Sequence, residues 1–158
     1  MRAFKELTKA QAELDNHIAL EKSIYMPDKI IERVIALQVE FNELLNEIPH
    51  IFKYWSNKKM NREKALEEYV DGLHFLLSIA NDLGIKDYEY QQPKTYDLRV
   101  LVLGINNMIS RLPQSKDFKQ LMDHYWLFGQ QLNFTEDEIV QAYYSKNEVN
   151  HARQVEGY

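Results

Sequence analysis

The sequence predicts an all-α fold, an antiparallel helical bundle of about six helices completed by homodimerisation. Three observations predict it. Gly 5 and Pro 4 are few for 158 residues, so turns are sparse. Apolar residues recur at helical spacing between short punctuating stretches. Connections of about 2–10 residues favour antiparallel neighbours. The length suits one domain over residues 1–158.

A first helix is expected over residues 3–24, with Leu7, Gln11, Leu14, Ile18 and Glu21 on one stripe. Gln11 breaks that stripe, and only half of the stripe is apolar. A second helix follows the first-turn residues Pro27 and Asp28, runs through IIERVIALQVEFNELLNEI and stops at Pro49. Its apolar residues (Ile31, Val34, Ile35, Leu37, Phe41, Leu44, Leu45, Ile48) cover more than half its circumference, which marks a central helix. Central helices this apolar exceed what one small bundle buries, so a homodimer is expected. HIFKYWSNKKM, residues 50–60, reads as an aromatic and basic connection. A third helix spans Asn61 to Leu83, with Gly84 as its C-terminal cap. A fourth covers 95–112 between Pro93 and Pro113, and its RVLVLGI stretch is β-branched enough to mimic a strand. A fifth spans 115–132 on a face of Phe118, Leu121, Met122, Tyr125 and Trp126. Thr135 with Glu138 forms a capping box that opens the sixth.

Composition excludes several classes. Lys+Arg 19 against Asp+Glu 24 gives a net charge of −5, which argues against a general nucleic-acid binder. No run of about 18 apolar residues is present to span a membrane. MRAFKELTKAQAELD carries charges where a signal peptide needs its apolar stretch. Cys 0 removes disulfides, thiolate metal sites and cysteine nucleophiles. A soluble cytoplasmic protein is the expectation.

The strongest chemical signal is Glu40 with Glu43 on the second helix and Glu68 with Asp71 on the third. Residues at i and i+3 lie about 60° apart, so each pair shares a face. Antiparallel packing of the two helices brings both pairs together. Four acids among apolar neighbours are desolvated and repel one another, and a hard cation such as Mg²⁺, or Mn²⁺ in its place, resolves both costs. Such pairs are also common on solvated faces, so spacing alone leaves a surface role open. Gly72 in mid-helix suits close helix approach. His74 reads as a ligand, a group behind the ligands, or a hydrogen-bonded core histidine. A di-iron carboxylate bundle needs Glu-x-x-His on two helices; Asp71-x-x-His74 is a poor version and Pro49 breaks Glu47-x-x-His50. A helical interaction module stays open as well. Near the C-terminus Lys146, Asn150 and Arg153 share one helical face. Lys and Arg there suit phosphate oxygens, and Asn suits a sugar hydroxyl or base edge. A solvated polar face reads equally from spacing.

At ALQVEFNELLNEI, FKYW, EEYVDGLHF and YYSKNEVNHARQVEGY, with a weaker echo in QAELDN, the chain resembles the dimeric all-α dUTPase family. The double acid motif is shared with MazG-type pyrophosphohydrolases. A MazG-like enzyme acting on other (deoxy)nucleoside triphosphates is therefore the alternative. The combination of D-G-L-H-F with K-N-x-x-N-x-x-R-Q-x-x-G-Y points to the dUTPase branch. The resemblance implies hydrolysis of dUTP to dUMP and pyrophosphate, and of dUDP to dUMP and phosphate, by attack at the β-phosphorus. It implies that Glu40, Glu43, Glu68 and Asp71 bind Mg²⁺ and that Glu43 orients and deprotonates the water. It implies a homodimer, and it sets Phe75 against the nucleoside, leaving no room for a 2′-hydroxyl. Gln11 is a candidate reader of the uracil edge, with Asp15 beside it where many relatives have Asn. Trp55 is a candidate to cover the nucleotide, with Lys53 supplying charge nearby; a Trp in a connection otherwise serves as a packing anchor. The end at Tyr158 resembles the short form of the family.

Overall fold

The computed structural model describes residues 1–25, 29–94 and 97–157. Six helices and no strand are present among them: α1 Phe4–Lys22, α2 Ile30–Asn46, α3 Arg62–Asp82, α4 Leu98–Ser115, α5 Phe118–Gln131 and α6 Glu136–Glu156. Pro27, Asp28 and Tyr158, and residues 95–96 where the fourth helix was expected to begin, lie outside the described residues. No described helix is long and apolar enough to cross a membrane.

Local chemistry sets the ends. Asn61 accepts from the Lys64 N–H, and Asp97 and Asp117 cap α4 and α5 in the same manner. The Thr135–Glu138 capping box opens α6 as expected. Gly84 takes φ +69 just past α3, the left-handed conformation that glycine adopts without strain. α2 ends at Asn46, and Pro49 then opens a 3-10 turn, Pro49–Ile51. Pro113 does not stop α4. It sits inside the last turn, where its missing N–H removes one bond close to the helix end, and Lys116 at φ 57 terminates the helix instead. α5 accordingly starts at Phe118, later than residue 115.

α2 and α3 run antiparallel, since Arg33 pairs with Asp82 while the Asn61 N–H donates to the Glu47 carbonyl. α6 runs antiparallel to α3, with Tyr143 stacked on His74 and Lys146 bonded to Asp71. α1 and α6 run parallel: Ala3 meets Glu136, Leu7 and Gln11 meet Tyr143, and His17 meets His151. The long connection after α3 folds back on the bundle. Tyr88 packs on Phe4 and donates to the buried Asp123, which the Gln91 N–H also satisfies.

The centre is a reciprocal clasp between α3 and α5. Tyr69 and Tyr125 stack with centroids 4.7 Å apart. The Tyr125 hydroxyl donates to the Tyr69 carbonyl at 2.7 Å, and the Tyr69 hydroxyl donates to the Tyr125 carbonyl at 3.3 Å. Each ring lies over a glycine of the other helix, Tyr125 over Gly72 and Tyr69 over Gly129. Gly72 thus serves close approach, chiefly toward α5. α2 is less enclosed than expected: Val34, Leu37, Phe41 and Leu44 are buried, but Ile31 and Ile35 are 50% and 59% exposed.

A Cβ at position 129 would stand 2.7 Å from the Tyr69 ring, which Tyr125 and Phe134 hold in place. Overpacking costs about 1–3 kcal/mol, and alanine returns about 1 kcal/mol of helix propensity. Gly129→Ala is therefore expected to lower the urea unfolding midpoint; a raised midpoint would contradict the clasp.

Candidate active site

Glu40 on α2 and Glu68 and Asp71 on α3 each place one carboxylate oxygen within 4.8 Å of the others. The antiparallel α2–α3 seam produces this meeting, because the acids flank buried Phe41, Tyr69 and Gly72. Partial burial, then the neighbouring charges of Asp71 and Glu43, push Glu40 up to about 7. The same causes push Glu68 up to about 7, with Glu67 adding to them. Burial also raises Asp71, against the pull of Lys146. Glu43 is exposed and stands outside the tight trio, although its charge reaches Glu40 and Glu68.

Lys146 supplies the local positive charge. Its ammonium donates to Asp71 at 2.7 Å and pairs with Glu67 at 3.5 Å. Burial works against the ammonium, but these acids outweigh it and hold its pKa above the ordinary value.

Beside the trio opens a cavity of about 420 Å³. Its walls include Gln11 and Asp15 from α1, Glu40 from α2, Asp71, His74 and Phe75 from α3, and Lys146, Asn150 and Arg153 from α6. The sequence-predicted residues of four helices therefore converge. Lys53 and Trp55 do not line it: the Lys53 ammonium lies over the Phe52 ring, and Trp55 is 68% exposed and packs edge-on against Tyr54.

One end of the cavity carries a continuous polar chain. The Ser78 hydroxyl donates to Asp15 at 2.7 Å, and the Gln11 amide nitrogen donates to the other Asp15 oxygen at 3.0 Å. The Gln11 amide oxygen sits 2.8 Å from His74 Nδ1 and accepts from the Tyr143 hydroxyl at 2.9 Å. An ionised Asp15 only accepts, so this orientation of Gln11 makes His74 Nδ1 a donor. Burial, then the Lys146 charge, push His74 down to about 3, so the ring is neutral. Its Nε2 is buried without a hydrogen-bond partner.

Arg33, Ser78 and Tyr143 were missed. Spacing carries a signal for each: Arg33 lies two turns before Glu40, Ser78 two turns after Asp71, and Tyr143 three residues before Lys146. Buried Arg33 pairs with Asp82 and lines the cavity.

The trio suits a divalent cation on its own chemistry, with hard oxygen donors crowded enough to push Glu40 and Glu68 up to about 7. A comparison with curated proteins gives no match. A family model described as dUTPase matches residues 3–158, essentially the whole chain. An all-α chain matched from end to end in this way belongs to the dUTPase family, and its activity is the hydrolysis of dUTP.

Proposed function

We propose that this hydrolysis of dUTP requires Mg²⁺, with Mn²⁺ as a substitute, and extends to dUDP, each substrate giving dUMP. The observation that carries this reading is the carboxylate trio beside a nucleotide-sized cavity that Lys146 and Arg153 also line. Glu40, Glu68 and Asp71 hold the cation, with Glu43 completing the set. When bound, the cation supplies Lewis acidity at the phosphates and at the attacking water. Glu43, exposed at the edge of the trio, orients that water and takes its proton. Lys146 and Arg153 face the trio and bind phosphate oxygens, Arg153 with its planar fork. Asn150 meets the sugar, and Phe75 packs against the nucleoside and leaves no space for a 2′-hydroxyl. Gln11, with both amide groups engaged, positions His74, whose free Nε2 accepts from the base. Asp15 anchors Gln11 from behind. Lys53 and Trp55 enter this reading as an exposed turn that covers the bound nucleotide.

The fold reading is a single domain that works as a homodimer. Ile31, Ile35 and Val39 form an exposed aliphatic stripe on α2, and Val100 and Leu103 are exposed on α4. A Gln38–Asn106 hydrogen bond joins these two helices. A second copy of the chain is the occupant this surface fits, because apolar area of this kind is costly to leave in water.

In a phosphate-release panel of dUTP, dUDP, UTP, dTTP and dCTP, dUTP and dUDP are expected to be turned over only with Mg²⁺. Equal rates on UTP and dTTP would remove the substrate assignment. Glu43→Gln should lower kcat by about 100-fold or more while a non-hydrolysable dUTP analogue still binds; unchanged kcat would exclude Glu43 as the base.

Cation binding must displace the protons of Glu40 and Glu68, both near about 7. Protons compete as pH falls, so apparent Mg²⁺ affinity should weaken from pH 8 to pH 6, by about tenfold or more. Calorimetric titration across that range checks this, and a flat profile would contradict it. For the dimer, Ile35→Lys combined with Leu103→Lys should sediment as a monomer at micromolar protein, whereas the unaltered chain sediments as a dimer.

A further inference from the structure

The polar end of the cavity draws on three helices, with Asp15 from α1, Arg33 from α2 and Ser78 from α3 in its wall. Arg33 is buried, and its guanidinium pairs with Asp82, one turn beyond Ser78 on α3. Lys29 and Glu32 also line the cavity but pair with each other at 3.1 Å. Burial raises the Asp15 carboxyl; the hydrogen bonds from Ser78 and Gln11, and then the Arg33 charge, oppose that rise. The state of Asp15 is felt along the chain of bonds. An ionised carboxylate only accepts, so Gln11 turns its amide nitrogen to Asp15 and its amide oxygen to His74 and Tyr143. The His74 proton then sits on Nδ1, and the buried Nε2 is left as an acceptor. A protonated Asp15 donates as well as accepts. The Gln11 amide is then free to turn over and offer its nitrogen to His74, which moves the ring proton to Nε2 and makes that atom a donor.

We propose that Arg33 is a positioning residue: its buried guanidinium, held by Asp82, keeps Asp15 a pure acceptor and so fixes, through Gln11, which nitrogen His74 presents to the cavity. Arg33 acts through Asp15 rather than on the substrate. The proposal rests on the reading of His74 Nε2 as the acceptor for the base, and it names what sets that atom's character. A guanidinium suits the task because it stays charged when buried. The ion pair with Asp82 also fastens α2 to α3, so a purely structural role for Arg33 has to be separated from this one.

The test reads the His74 tautomer by nitrogen-15 NMR of the imidazole rings in three proteins at neutral pH. They are the unaltered chain, Arg33→Lys, and Arg33→Gln combined with Asp82→Asn. The double variant removes both charges together, because Arg33→Gln alone leaves Asp82 without its cation and risks unfolding. The unaltered chain and Arg33→Lys are expected to carry the proton on Nδ1, and the double variant to populate the Nε2–H form. The KM for dUTP should rise about tenfold in the double variant with kcat little changed, the mark of lost uniform binding. A ring protonated only on Nδ1 in the double variant overturns the proposal. A shift in Arg33→Lys as large as in the double variant overturns it too, since charge would not then decide. Both tautomer results hold whatever the cavity binds, whereas a failure of the unaltered chain to turn over dUTP would strike the reading of the cavity instead.

Discussion

The constraint on which the site depends is the crowding of Glu40, Glu68 and Asp71 in a half-buried seam. Like charges at this separation oppose folding unless protons, a lysine or a cation offset them. The hydrophobic core imposes the arrangement. Leu37, Phe41 and Leu44 of α2 and Tyr69 and Leu73 of α3 are fully buried, and their burial fixes which way the acids face. Packing thus supplies the free energy that holds an electrostatically unfavourable group together. Lys146 gives partial relief by donating directly to Asp71, and its single charge is shared among three acids.

The polar chain at the other end has a different character. Ser78, Asp15, Gln11, His74 and Tyr143 satisfy one another almost completely. Such a network is rigid because each member's orientation is set by the next. Its one unsatisfied atom, His74 Nε2, contrasts with the trio, where charge is in excess. The cavity therefore joins a region demanding positive charge to a region whose polar groups are largely satisfied among themselves.

Much of this was legible in the sequence, for identifiable reasons. Helical periodicity and caps such as Thr135 are local signals, and they located the helices to within a few residues. Pro113 misled because a proline near a helix end costs little. The two acid pairs were legible because i,i+3 spacing fixes a face wherever the helix docks. Spacing puts Arg33, Ser78 and Tyr143 near site residues on their own helices, but their partners are set by contacts between helices remote in sequence. Gln11 was noticed as a break in an apolar stripe, but only the folded chain reveals that both its amide groups are engaged within the protein. The parallel course of α1 and α6 had no sequence signature.

The tyrosine clasp has a consequence for how α3 is set. Tyr69 adjoins Glu68, and Gly72 adjoins Asp71. Each residue along an α-helix turns about 100° around the axis. A slip of one position would carry the acids well away from Glu40. The paired rings and their two glycine seats thus act as an azimuthal key, which ties the angular phase of the acids to an aromatic contact on the adjoining face of the same helix.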